Sequence, residues 1–256
     1  MSEPNFGRSV ASEFVGTTLV MLGGPGLMVL GGADLDRLAI AVGFGASLAI
    51  AIGVIGAVTN PMFSLALWFA RAITGRELAS DIVGQVLGAI FGAFVIFCLN
   101  NTTRFAGGTN GWEPSTDVVG GVDLGIHLTG FANLGVVLAA ELVLGTLLVI
   151  IMLSSITQQR SNATMAAFVG AGYTVAMLFL IPVSGGGVHP ARSLAMAIFA
   201  DTNPNALGQL WPFIVVPVLA SVVGLLAWLA IDEASVDDTV FNDTIVESAI
   251  DVATGD

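Results

Sequence analysis

Long stretches without a charged side chain dominate the sequence: 14–33, 38–70, 82–103, 142–159, 161–188 and 202–231. A helix that spans the hydrocarbon core of a bilayer needs about 20 predominantly apolar residues. The pattern therefore predicts an all-α membrane protein with six transmembrane helices. Two of the runs overshoot that length. The run 38–70 holds one helix near 38–57 and about a dozen further apolar residues, and 161–188 continues past Pro182 through "SGGGVHPARS" (184–193) to Ala200. Each surplus is too short to cross, so each predicts a re-entrant segment.

Composition sharpens this picture. Of 256 residues, 55% are hydrophobic and 10% charged, and the mean hydropathy is +0.91. Soluble domains carry about 25% charged residues, so a water-soluble fold is excluded. All seven basic residues are arginines. With six spans, Arg8, Arg71, Arg76 and Arg160 fall on one side and Arg37 and Arg104 on the other. That excess predicts cytoplasmic termini. The first apolar stretch is too long for a signal-peptide core and is expected to be a retained span.

The net charge of −12 is concentrated, because eight of the 19 acidic residues lie between Asp232 and Asp256. Residues 232–256 are expected to form a solvated acidic cytoplasmic tail, and such a tail gives no reason to expect nucleic acid as a partner. The single cysteine, Cys98, cannot form an intrachain disulfide and is expected to be a small packing residue. The sequence has no cysteine–histidine cluster, so neither a metal nor a cofactor is expected. It also has no phosphate loop and no nucleophile beside a base, so no enzymatic activity is expected.

The chain is written twice. "ASEFVGT" (11–17) recurs as "AAELVLGT" (139–146), and "VTNPM" (58–62) recurs as "GVHPA" (187–191). The spacing agrees: 47 positions separate Glu13 from Asn60, and 48 separate Glu141 from His189. Gln85 and Gln209 are each expected to open the helix that follows the motif. The expected organisation is one transmembrane domain, 1–231, with repeat one at 8–100, a linker at 101–132 and repeat two at 133–231. The linker is expected outside the membrane, and His127 in it is given no role in the site. Three spans per half insert the second copy upside down, so the two re-entrant segments enter from opposite faces and meet near the midplane.

An N-capping residue followed by proline at the first helical position is a strong helix start. Asn60–Pro61 and His189–Pro190 therefore predict short helices over 61 to about 72 and 190 to about 200. Their N-termini face each other, and each carries a partial positive charge of about 0.5. The extended backbone before each motif, including 183–188, is expected to offer carbonyl oxygens to a wet cavity. Arg192 lies three residues after His189 and brings a permanent charge to membrane depth, which marks it as a functional candidate. Glu13 and Glu141 suit either a proton relay or a brace that accepts backbone N–H bonds.

This assembly resembles the aquaporin, or major intrinsic protein, family of channels for water and small neutral solutes. The likeness is carried by "TNPMFSLALW" (59–68), "SGGGVHPARS" (184–193) and the glutamate-bearing openings of both halves, and it covers about residues 8–231. The family usually has Asn-Pro-Ala in both motifs. Here the pore-motif residues are Asn60, Pro61 and Met62, then His189, Pro190 and Ala191, so a histidine stands where the second asparagine is usual. An imidazole still donates one hydrogen bond when neutral, but it is bulkier and can become charged.

The resemblance implies a selectivity filter of Phe44, Met177, Gly186 and Arg192, and a bracing role for Glu13 and Glu141. Water-selective members usually have histidine at the Met177 position, so Met177 and Gly186 imply looser size selection. Ser193 follows the arginine, as in many water-selective members, whereas glycerol-selective members usually have aspartate there. The resemblance further implies a homotetramer in the plasma membrane, with water and small uncharged solutes such as glycerol as permeants and protons and ions excluded. Other functions stay open: a facilitator of glycerol and small solutes rather than a water-selective pore, a proton-coupled transporter using Glu13, Glu141 and His189, and a structural homologue with a closed pore.

Overall fold

The computed structural model of the chain describes residues 5–31, 34–100, 107–112, 132–202 and 204–232. His127, Arg104 and the acidic tail beyond Asp232 lie outside the described residues. Among the described residues, six helices are long and apolar enough to cross a membrane: α1 (Phe6–Leu30), α2 (Arg37–Ile55), α4 (Gly75–Leu99), α5 (Leu134–Thr157), α6 (Asn162–Ser184) and α8 (Pro212–Ile231). The two short helices are α3 (Pro61–Phe69) and α7 (Pro190–Phe199). At 1.5 Å per residue they are about 14 and about 15 Å long, half of a hydrocarbon core about 30 Å thick.

The helix starts follow local chemistry. The side chain of Asp36 accepts from Ala39 N–H at 2.8 Å, that of Asn133 from Val136 N–H at 3.1 Å and that of Ser161 from Thr164 N–H at 3.2 Å. Thr74 and Glu77 close a reciprocal capping box at the start of α4. Charged residues can thus sit inside a helix near its end. This is why α1 and α4 begin several residues before the charge-free runs at 14 and 82. The motif expected to open the helix with Gln85 is corrected: Gln85 lies well inside α4, and Gln209 precedes α8. Pro25 sits in a widened π-type turn of α1, Leu22–Gly26, which accommodates its missing N–H.

The spans cross where small residues let backbones approach. On α4, Gly84, Gly88 and Gly92 form a stripe at four-residue spacing against α1. A Cβ on Gly88 would lie 2.4 Å from the Phe14 carbonyl oxygen, and one on Gly84 2.6 Å from that of Val10. The equivalent pair in the second half, α5 and α8, closes at Gly224, whose Cβ would lie 2.6 Å from Val149. At the centre, α2 meets α6 through Gly45 and Gly170; a Cβ on Gly45 would fall 2.3 Å from the Gly170 carbonyl oxygen. Small residues at such crossings replace the hydrophobic drive that lipid cannot supply. The first span of each half packs on the third, and the second spans meet at the middle, as an inverted repeat requires.

Cys98 is corrected from the packing role expected of it: it lies exposed on the outer face of α4. Apolar residues such as Val54, Phe179 and Leu226 are also largely exposed, which suits a surface solvated by acyl chains.

Candidate functional site

The two half-length helices meet N-terminus to N-terminus. Asn60 Oδ1 accepts from Met62 N–H at 3.0 Å and so caps α3, while Asn60 Nδ2 donates to the Val188 carbonyl oxygen at 3.0 Å. His189 caps α7 through its ring, Nδ1 accepting from Arg192 N–H at 3.2 Å. An accepting Nδ1 must be unprotonated, so the neutral ring carries its proton on Nε2. That Nε2 is buried and has no hydrogen-bond partner among the described residues. Pro61, Met62, Pro190 and Ala191 are all buried in the first turns behind these caps. Each half-helix also leans on the other half of the chain, α3 on α5 and α8, and α7 on α4.

The segments that lead into the junction are held by the two glutamates. Glu13 accepts from Val58 N–H at 2.6 Å through Oε1 and from Thr59 N–H at 2.7 Å through Oε2. Thr17 Oγ1 donates to the Thr59 carbonyl oxygen at 3.2 Å. These bonds fix Thr59 at φ +63°, a left-handed conformation that a β-branched residue rarely adopts. In the second half, Glu141 Oε1 accepts from Gly187 N–H at 2.7 Å and from the Ser184 hydroxyl. The sharp inward bend there uses Gly185 and Gly186 in succession, at φ +80° and +79°, where a glycine carries no Cβ penalty.

Glu13 is further tied into a buried network that the sequence reading missed. Gln85 Nε2 donates to Glu13 Oε2 and to Ser64 Oγ, both at 2.9 Å. Asp81 accepts from Ser64 at 3.0 Å and from Ser9 at 3.3 Å. The network pins α3 to α1 and α4 through polar groups in an apolar bundle, where every donor left unmatched is costly.

Arg192 is fully buried. Its guanidinium donates to Asn110 Oδ1 through Nη1, and through Nη2 to the carbonyl oxygens of Gly108 at 3.0 Å and Gly185 at 2.9 Å. Met28 Sδ lies 3.7 Å from the same nitrogen. The charge sits 5.7 Å from the centre of the Phe44 ring, within cation–π range. Met177 lies beside Gly186, since a Cβ on that glycine would come within 2.6 Å of the Met177 sulfur. The structure thus brings Phe44 to Arg192 and Met177 to Gly186, and Arg192 bonds the carbonyl oxygen of Gly185 beside that glycine.

Part of the linker also takes part in holding Arg192. Residues 107–111 are buried, and Asn110 Nδ2 donates to the Ser184 carbonyl oxygen at 3.1 Å while its Oδ1 holds Arg192. "GGTNGW" has the composition of a solvated loop, so no periodicity could have flagged Asn110. Met28 and Tyr173 were likewise indistinguishable from ordinary span residues.

The sequence profile of the major intrinsic protein family matches residues 1–228. The chain is similar to aquaporin Z of Brucella melitensis, 33% identical over 229 residues that cover 86% of this chain and 96% of that protein. It is also similar to aquaporin Z of Photorhabdus laumondii, 28% identical over 225 residues that cover 85% of this chain and 94% of that one. Its fold matches the X-ray structure of the aquaglyceroporin from Plasmodium falciparum with a TM-score of 0.67 at 18% identity, covering 91% of this chain and 98% of that one.

Proposed function

The chain belongs to the major intrinsic protein family, and from that premise we propose that it is a passive transmembrane channel for water that also admits small uncharged solutes. The observation that carries the proposal is the junction itself. Two half-length helices point their electropositive N-termini at one level, and a buried His189 Nε2–H there has no hydrogen-bond partner among the described residues. Asn60 and His189 offer N–H donors to the oxygen of a passing molecule. The partial charges of the facing helix ends, with Arg192 a turn away, repel cations and protons.

In this reading Phe44, Met177, Gly186 and Arg192 form the selectivity filter. Arg192 is positioned by Asn110, Gly108 and Gly185 rather than by a carboxylate, which leaves its charge free to act on the permeant. Met177 and Gly186 build one wall from an adaptable thioether and a bare backbone, an arrangement that favours passage of glycerol as well as water. Glu13 and Glu141 serve as braces. Both oxygens of Glu13 and one of Glu141 accept backbone N–H bonds, which argues against their use as proton carriers. Four chains, each with its own pore, assemble in the plasma membrane with both termini in the cytoplasm.

The test is reconstitution into vesicles that carry an internal pH-sensitive dye. Under a glycerol gradient the channel swells vesicles without an imposed ion gradient and without a dye response. A dye response that tracks solute entry supports the proton-coupled transporter instead.

A further inference from the structure

We propose that Tyr173 is a specificity-determining residue of the pore wall, its hydroxyl hydrogen-bonding molecules in transit between Arg192 and the Asn60–His189 junction. The proposal rests on the channel reading above and adds a residue to it. Tyr173 is the only tyrosine in the sequence and the middle residue of the 23-residue α6. It therefore stands near mid-height in the membrane, one turn below Met177 on the same face of the helix. The ring is 1% exposed and packs 6.1 Å from the Phe44 ring, which in turn lies against Arg192.

Its hydroxyl is buried without a hydrogen-bond partner among the described residues. A buried tyrosine hydroxyl normally finds one, and leaving it unmatched is costly. Phenylalanine would fill the same space without that cost. Among the other buried groups without a partner in the described residues are Arg192 Nε and His189 Nε2. Both are donors only, so a molecule with hydroxyl hydrogens of its own needs an acceptor as well.

Four of the loop carbonyls expected to supply one already accept a bond. Val183 O accepts from Ala132 N–H, Ser184 O from Gly111 N–H and Asn110, Gly185 O from Arg192, and Val188 O from Asn60. The Tyr173 oxygen both donates and accepts. It complements the donor-only groups for water and for small uncharged hydroxyl-bearing solutes.

The experiment compares wild type with Tyr173→Phe in proteoliposomes, reading osmotic water permeability, glycerol permeability and the unfolding midpoint on the same preparations. Removing one hydrogen bond from the path is expected to lower water permeability by about threefold or more, with the unfolding midpoint unchanged or raised. Wild type that conducts while Tyr173→Phe matches it for both permeants overturns the inference and leaves the channel reading intact. A Tyr173→Phe protein that unfolds at lower temperature with unaltered permeability also overturns it, because the hydroxyl then serves the fold. Wild-type vesicles that conduct neither water nor glycerol overturn the channel reading and this inference together.

Discussion

The Asn60 carboxamide and the Val188 carbonyl oxygen join across 3.0 Å, although 128 positions separate them in the chain. The same side chain caps its own half-helix with Oδ1, so one residue both starts α3 and ties it to the segment that feeds α7. The register of the two halves is thereby fixed at the point where their electropositive ends meet.

Asn110 is expected to set the direction of the Arg192 guanidinium. Asn110→Ala removes the Nη1 acceptor and the bond to the Ser184 carbonyl oxygen. A hydrogen bond to a charged group contributes about 1.5–3 kcal/mol. The variant should lose discrimination, with glycerol flux rising relative to water flux in the same vesicles. An unchanged ratio would show that Gly108 and Gly185 position the arginine unaided.

Glu13 holds two backbone N–H groups at once. Glu13→Gln keeps the volume but turns one acceptor oxygen into a donor, leaving Val58 or Thr59 N–H unmatched. The expected loss is about 1–3 kcal/mol, seen as a lower unfolding midpoint in detergent. A variant as stable as wild type would mean that Thr59 keeps its positive φ without the brace.

His189 tests whether capping chemistry, rather than the identity of the ring, maintains the junction. Asparagine is among the best capping residues, so His189→Asn is expected to fold as well as wild type and to conduct water. His189→Leu loses the acceptor for Arg192 N–H and should cost about 0.5–2 kcal/mol. Equal stability of the two variants, measured by thermal unfolding, would rule the cap out as a contributor.

Gly45 allows α2 and α6 to cross closely. Gly45→Val would drive its Cβ against the Gly170 carbonyl oxygen and the Thr174 hydroxyl, which lie 2.3 and 1.9 Å from the ideal Cβ position. Overpacking of this kind costs about 1–3 kcal/mol or more, and reduced yield of folded protein in detergent is the expected result.

Much of this architecture was legible in the sequence because its signals are local or repeated. Apolar run length gave six spans, and Asn60–Pro61 and His189–Pro190 marked the starts of both half-helices. The spacing left a relay and a brace open for Glu13 and Glu141, and only the family resemblance pointed to the brace. What stayed hidden depends on contacts between distant segments. Asn110 reaches Arg192 from a glycine-rich loop across 82 positions. Asp81, just outside a charge-free run, meets Ser9 across 72. The inward path of residues 107–111 follows from the shape of the bundle, which periodicity does not encode.

The central claim is a continuous passive path for water through the Asn60–His189 junction, and the temperature dependence of osmotic shrinkage in proteoliposomes tests it most directly. The account predicts shrinkage much faster than in protein-free vesicles, with an activation energy close to that of water diffusing in water. Shrinkage at the protein-free rate, with the steep temperature dependence of permeation through lipid, would contradict it.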